Sequence, residues 1–268
     1  MSFSVQYPSM ALSPFIKQYW ALDGNIDKGT EHLQRIVPTG LAEMIFYFND
    51  LPVNTVRGNT RESRSVINGQ QSEFYELKIS GRINLLSVSF TPQGTKQFFN
   101  IPISEIQNKN LPLRFLAGAI ADELEEKLYH KPDFKSRVAL LEKYLIKKLG
   151  ERTAYNFKRI SHTVRAIARS GGNTDVKSLA SSACLSTKQF ERVFTGNIGL
   201  SPKQYLRVIR FQKAIRTRQL NPGYSLTEIA YNSGFSDQSH MIREFISISG
   251  LTPGKYFASC DPVSDFYS

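Results

Sequence analysis

Cysteine is scarce in this chain. Cys184 and Cys260 are its two thiols, and they form no CxxC pair. Two cysteines cannot staple a disulfide scaffold, and such sparing use fits a reducing compartment. Long apolar runs are missing as well. None approaches the roughly 18 residues that a membrane span requires. The opening MSFSVQYPSMALSPF lacks the positive n-region and long apolar h-region of a secretory signal. These absences predict a soluble, cytoplasmic protein with no membrane partner. Histidine is rare, and His32, His130, His162 and His240 are scattered, which suggests no metal cluster. No HExxH, P-loop or Gly-x-Ser-x-Gly sequence occurs. No catalytic constellation stands out, so neither enzymatic activity nor a cofactor is expected.

Acidic residues are also in deficit, with 23 Asp and Glu against 34 Lys and Arg, a net charge of +11. The deficit is local. Residues 152–258 hold 16 Lys and Arg against 5 Asp and Glu, whereas the rest of the chain holds 18 of each. The whole excess therefore lies in the second half, which points to a polyanion-binding module joined to a neutral one. A solubilising surface charge is the plainer alternative. What is present suits folded domains: 41% apolar and 12% aromatic residues can build real cores. At about 150 residues per domain, the length predicts two.

Residues 1–100 read as mostly strand. Segments 33–38, 41–48, 73–79 and 83–90 are rich in β-branched and aromatic residues. Pro38-Thr39-Gly40, Asn49-Asp50 and Ser80-Gly81 punctuate them. This spacing predicts an antiparallel barrel or sandwich. Trp20, Tyr19, Tyr47 and Phe48 are read as core, with a pocket lining as the rival. A short helix is expected over 92–100. From 113 the period changes: Leu113, Leu116, Ile120, Leu124 and Leu128 line one helix face, and Val138, Leu141, Leu145 and Leu149 another, with Lys131-Pro132-Asp133 between them. The two stripes of this αα-hairpin either pack on the β-domain or form a subunit interface. A basic helix is expected over 154–170, stopped by Gly171-Gly172-Asn173.

The second half repeats itself. Leu179-Ala180 and Leu185-Ser186 match Ile229-Ala230 and Phe235-Ser236 at a shift of 50. After the turn the shift is 51: Arg192 matches Arg243, Phe194 matches Phe245, Gly199-Leu200-Ser201-Pro202 matches Gly250-Leu251-Thr252-Pro253, and Tyr205 matches Tyr256. Capping boxes begin at Ser186, Ser201 and Ser225, each followed three residues later by Gln or Glu. Pro202 and Pro253 stand at first helical positions. Helices over 176–183 and 226–232 lead through three-residue turns into helices over 187–197 and 237–247. This is helix, tight turn, helix, twice. Cys184, in the first turn, is read as a structural thiol. In the first reading helix Phe190, Val193 and Phe194 point inward, leaving Thr187, Lys188, Glu191, Arg192 and Thr195 outside. In the second, Met241 and Phe245 point inward with Ile242 or Ile248, leaving Gln238, Ser239, His240 and Arg243 outside. Arg and Lys can address guanine O6 and N7, and Gln adenine. A basic helix over 201–220 joins the units. Its 20 residues span about 30 Å, close to the ~34 Å between successive major-groove faces of B-DNA.

These residues resemble the AraC/XylS family of bacterial transcription regulators. The resemblance rests on Gly234-Phe235-Ser236-Asp237-Gln238-Ser239-His240 with Arg243, Phe245, Gly250 and Thr252-Pro253. Its companion is Leu185-Ser186, Arg192, Phe194, Gly199, Ser201-Pro202, Arg210-Phe211 and Ala214. It implies two helix-turn-helix units in adjacent major grooves of promoter or operator DNA, with RNA polymerase as a further partner. Base-facing positions carry over as Lys188, Gln189 and Arg192, then Gln238, Ser239, His240 and Arg243. Ser186, Thr187 and Ser236 lie at helix N-termini, where caps and phosphate contacts compete, and Arg210 of the connecting helix is counted with them. Three positions depart from the family: Met241 replaces a common aromatic, Ile242 a small polar residue, and Phe257 a frequent Arg.

In the first half, Ile36-Val37-Pro38, Gly40, Glu43-Met44-Ile45-Phe46 and the run VSFTPQG over 88–94 are similar to sensory-type domains of this family. In the best-known relatives a β-barrel binds a small effector and a helical hairpin dimerises. The resemblance thus implies a small-molecule effector and a homodimer through 113–149, with no ligand residue carried over. The expected class is α+β. An antiparallel, barrel-like β-domain with a helical hairpin occupies 1–150 (β-rich over 1–100, helical over 101–150). An all-α domain of two helix-turn-helix units joined by a long helix occupies 151–268 (units about 175–198 and 225–248, connector 201–220). Two other readings stay open: a constitutive dimeric regulator without ligand, and a repair-type enzyme carrying the same DNA-binding module.

Overall fold

The computed structural model describes residues 1–27, 30–56, 58–149 and 156–259. Cys260 and the expected division at 150/151 lie outside them, as do residues 154 and 155 of the expected basic helix.

The first half is built on ten strands among the described residues: β1 (Ser2–Gln6), β2 (Ile16–Asn25), β3 (His32–Ile36), β4 (Glu43–Tyr47), β5 (Val53–Asn54), β6 (Thr60–Arg61), β7 (Ser65–Asn68), β8 (Tyr75–Ile79), β9 (Arg82–Phe90) and β10 (Asn110–Pro112). They form two antiparallel sheets, one ordered β1-β2-β9-β4-β7-β10 and the other β3-β8-β5-β6. The four expected strands are present as β3, β4, β8 and β9, and the others were not anticipated. Strands of two or three residues carry no readable period, and β2 hides its pattern because both of its faces are covered.

That double coverage explains the near-continuous apolar runs. Along β4, Met44 and Phe46 face a core shared with the helices, while Ile45 and Tyr47 face the second sheet. Leu86 and Val88 against Leu85, and Tyr19 against Trp20, divide the same way. The helical side carries α1 (Thr95–Phe98), α2 (Arg114–Ala117), α3 (Ala119–Tyr129) and α4 (Phe134–Leu149). Leu113, Leu124, Leu128, Val138, Leu141 and Leu145 are buried in the core of this half, so most of both stripes is spent locally. Ile120 remains exposed, as do Phe115 and Ile146 nearby.

The second half comprises α5 (Phe157–Ser170), α6 (Val176–Ser182), α7 (Thr187–Ile198), α8 (Pro202–Leu220), α9 (Leu226–Ser233), α10 (Gln238–Ser249) and α11 (Pro253–Ser259). All three capping boxes are formed, at Ser186–Gln189, Ser201–Gln204 and Ser225–Glu228. Helix α8 serves two cores. Tyr205, Leu206 and Val208 join the core of α5, α6 and α7, and Phe211, Ala214 and Ile215 join that of α9, α10 and α11. One rigid helix thereby fixes the two units relative to each other.

Candidate nucleic-acid interface

Each unit turns on a left-handed residue. In the second it is Gly234, at φ 87°, a conformation glycine adopts without penalty. In the first the equivalent residue is Cys184, at φ 53°, where a Cβ costs about 1–2 kcal/mol. Its side chain is exposed, which corrects the expectation of a structural thiol. Residue 184 matters for its backbone, not its burial.

After the turns, α7 and α10 begin with their N-terminal polar faces outward. Ser186, Thr187, Lys188, Gln189 and Arg192 are exposed, while Phe190, Phe194 and Ile198 are buried. Ser236, just before α10, and Ser239 and Arg243 within it are exposed and Gln238 and His240 half-buried, over a buried stripe of Met241, Phe245 and Ile248. Ile248, not Ile242, completes that stripe. Several of these polar groups already have work to do. Gln189 closes the cap of α7, and Gln238 accepts from Thr227 Oγ1 at 2.9 Å. The His240 imidazole stands edge-on to Phe235, with Nδ1 3.1 Å from Ser236 Oγ. Asp237 caps α10, accepting from His240 N at 2.7 Å, and this backbone bond holds its carboxyl below the usual aspartate range. Lys188, Arg192 and Arg243 have no side-chain hydrogen bond or ion pair among the described residues and are exposed, with the Arg243 charge acting on the Asp237 carboxyl only through space.

The connecting helix differs from its expected role as a run of cations. Arg207 donates from Nε to Glu244 Oε2 at 2.6 Å and from Nη2 to Ser247 Oγ at 3.0 Å, tying α8 to α10. Arg210 turns inward and donates to the Gly172 carbonyl at 3.0 Å; burial pulls its pKa down. It does not join the exposed group. Arg218 donates to Tyr224 O and lies 5.8 Å over the Phe257 ring, so the departure at 257 supplies an aromatic platform. A basic residue on a helix gives no clue in sequence to whether a carboxylate 37 residues later will claim it.

The C-terminal ends of both reading helices rest on the first half. Gly199, ending α7, lies against Ile103 and Gln70, and Gly250, ending α10, against Phe74. Arg35 donates from Nη1 to Ser249 O at 2.9 Å, pairs with Glu76 at 2.6 Å, and stacks 4.6 Å over Phe74. Gln212 of α8 donates to Pro38 O at 2.6 Å, and Val37 is buried in the core of the second unit. The same segment, 35–41, walls a cavity of about 130 Å³ between the two sheets. Trp20 and Tyr47 line that cavity, whereas Tyr19 lies in the core on the opposite face and Phe48 packs under Arg137. Sequence reasoning missed Arg35 and Phe74. Glu43 entered only within the stretch similar to sensory-type domains and was given no site role, although a carboxylate heading an apolar strand was a readable signal.

Residues 179–259 match the family described as "Helix-turn-helix domain", and residues 5–112 match "Domain of unknown function (DUF6597)". With the doubled units already in place, the match decides the type. The C-terminal segment is an AraC-type helix-turn-helix domain. It is similar to part of the HTH-type transcriptional regulator Rv1931c of Mycobacterium tuberculosis, at 35% identity over 89 residues, and of the HTH-type transcriptional regulator MtrA of Neisseria gonorrhoeae, at 28% over 100 residues. These alignments cover 33% and 37% of this chain, and 34% and 33% of the relatives. The chain thus spans about a third of the length of the curated relatives it matches. Among solved structures, ToxT from Vibrio cholerae O395 aligns with a TM-score of 0.46 at 13% identity, covering 90% of this chain and 97% of that one. Among the described residues, no helix is long and apolar enough to cross a membrane.

Proposed function

We propose that the protein is a sequence-specific DNA-binding regulator of transcription, acting in a bacterial cytoplasm, with the N-terminal ends of α7 and α10 in successive major grooves. The observation that carries this reading is the duplication. Two capped reading helices present exposed polar faces and are held at one spacing by a 19-residue helix about 28 Å long. Lys188, Gln189 and Arg192 read one groove, and Gln238, Ser239, His240 and Arg243 the next. Ser186, Thr187 and Ser236 face phosphates at the helix N-termini. Affinity comes largely from cations releasing counterions, and choice of sequence from the base edges. Arg210 contributes by bracing α8 against Gly172.

In this reading the first domain, 1–150, holds a small effector and modulates the second, 151–268. Its support is that segment 35–41 walls the cavity on one side and touches α8 and α10 on the other. Self-association through 113–149 would draw on the exposed Phe115, Ile120 and Ile146, and the regulated step is RNA polymerase at a promoter. The test is selection of binding sites from a random duplex library by the full chain. The expected product carries two preferred blocks about one helical turn apart. Absence of enrichment overturns the reading, and a single block removes its two-groove geometry.

A further inference from the structure

The cavity between the sheets has a polarity that selects for charge. Glu43 of β4 and Asn68 of β7 are direct cross-strand partners, so both side chains project from the same face of the sheet, a few ångström apart. Both line the cavity. Glu43 Oε1 accepts from Trp20 Nε1 at 3.0 Å and from Ser89 Oγ at 2.7 Å, which fixes the carboxylate in place. Asn68 donates from Nδ2 to Tyr75 Oη at 3.0 Å, leaving its Oδ1 buried with no hydrogen-bond partner. The side chain is only 6% exposed, so the lone pairs of that carbonyl can be met only from within. Around these two acceptors the wall is largely apolar, with Leu22, Ile36, Leu41, Ile45 and Leu85 among its residues. Arg35 also lines the cavity, but its guanidinium is engaged by Glu76 and by Ser249 O. His32 at the rim is hydrogen-bonded to Gln34.

Burial pushes the Glu43 carboxyl upward, and the bonds from Ser89 and Trp20 and the charge of Lys17 offset that only in part. Lys17 acts from outside the cavity lining. A buried acidic group without a full counter-charge gains most from a cation brought by a ligand.

We propose that this cavity is a binding site for a small primary amine, whose ammonium donates to the Glu43 carboxylate and Asn68 Oδ1 while one ring or a short branched chain fills the apolar wall. The size agrees: cavities near 150 Å³ accept a single benzene ring. The proposal rests on the effector-binding part of the function proposed above, and it names the chemistry of that effector.

The test uses three probes of one shape on the full chain, namely benzylamine, benzyl alcohol and benzoate, followed by calorimetry and ligand-observed NMR. Benzylamine is expected to bind saturably, roughly tenfold or more tighter than the other two, a difference of about 1.4 kcal/mol. Glu43→Gln, which keeps the shape and an acceptor oxygen, is expected to abolish that preference. Equal or tighter binding of benzoate overturns the proposal, as does equal binding of benzyl alcohol, no binding of any probe at millimolar concentration, or an amine preference that survives Glu43→Gln. The wild-type comparison stands even if the variant folds poorly. An amine that binds but leaves DNA affinity unchanged would keep the site and refute the effector role instead.

Discussion

Arg243→Ala offers a sharp test of the base-reading assignment, because in Arg243 interface and fold are separable. Arg243 is exposed on α10 and has no hydrogen-bond or ion-pair partner among the described residues. Removing it orphans no buried group, so folding stability should change by no more than about 0.5 kcal/mol. If its guanidinium reads a guanine, specific binding should weaken by about 1–3 kcal/mol, roughly 5- to 150-fold. On a random duplex only one phosphate-strength cation is lost, so the loss should be smaller. Arg192→Ala should behave in parallel on the other half-site. The contrasting variant is Arg207→Ala. Its guanidinium is 29% exposed and its partner Glu244 16%, so truncation takes the direct donor from a largely buried carboxylate and leaves it only the weaker company of His240 and Arg210, at a cost of about 1–2 kcal/mol of stability. Arg207→Ala should therefore lower the thermal midpoint yet keep the ratio of specific to random affinity. Fluorescence anisotropy on both duplexes at fixed salt, paired with thermal melts, separates the two effects. Equal loss on specific and random DNA for Arg243→Ala would refute the reasoning.

Three further expectations concern the framework. Cys184→Gly should stabilise the first unit by up to about 1 kcal/mol, the relief of left-handed strain less the added chain entropy; Gly234→Ala should destabilise the second by a similar amount, and chemical denaturation measures both. Asp237, whose carboxyl is depressed chiefly by its bond from His240 N, contributes a stability that is complete above the ordinary aspartate pKa near 4 and is lost as pH falls through the lower, folded value; Asp237→Asn, which also caps, should remove that part of the acid dependence, and an unchanged acid profile would count against the cap. Arg35→Ala leaves Ser249 O and Glu76 without their donor, so stability should drop by about 1–3 kcal/mol; a melt indistinguishable from wild type would show that this tie does not hold the halves together.

Much of the second half was legible because its determinants are local. A capping box needs residues three apart, an amphipathic stripe needs three or four, and the left-handed turn needs one permissive backbone. Ser186, Ser201 and Ser225 therefore announced their helices directly. The first half was less legible. Leu33, Tyr75 and Ile83 marked strands, but β2 and β7 are covered on both faces and show no alternation, and β5, β6 and β10 are too short to show any. The exposed members of the candidate interface were readable from helix faces. Arg210 was not, since only the position of the Gly172 carbonyl turned it inward.

The sequence alone determined that the basic charge belongs to residues 152–258, that this segment carries a doubled helix-turn-helix, and which face of each reading helix is polar, although Thr195, Gln238 and His240 on those faces are half-buried rather than outside. Those properties follow from short-range periodicity and capping, which act within a few residues. Tertiary structure decided what those units are attached to. It placed Glu43 beside Asn68 in the cavity between the sheets, and it set Arg35 against a carbonyl 214 residues away. It also seated the ends of both reading helices on the β-domain. Contacts of that kind depend on which strands pair and which faces meet, and no local pattern in the chain encodes them.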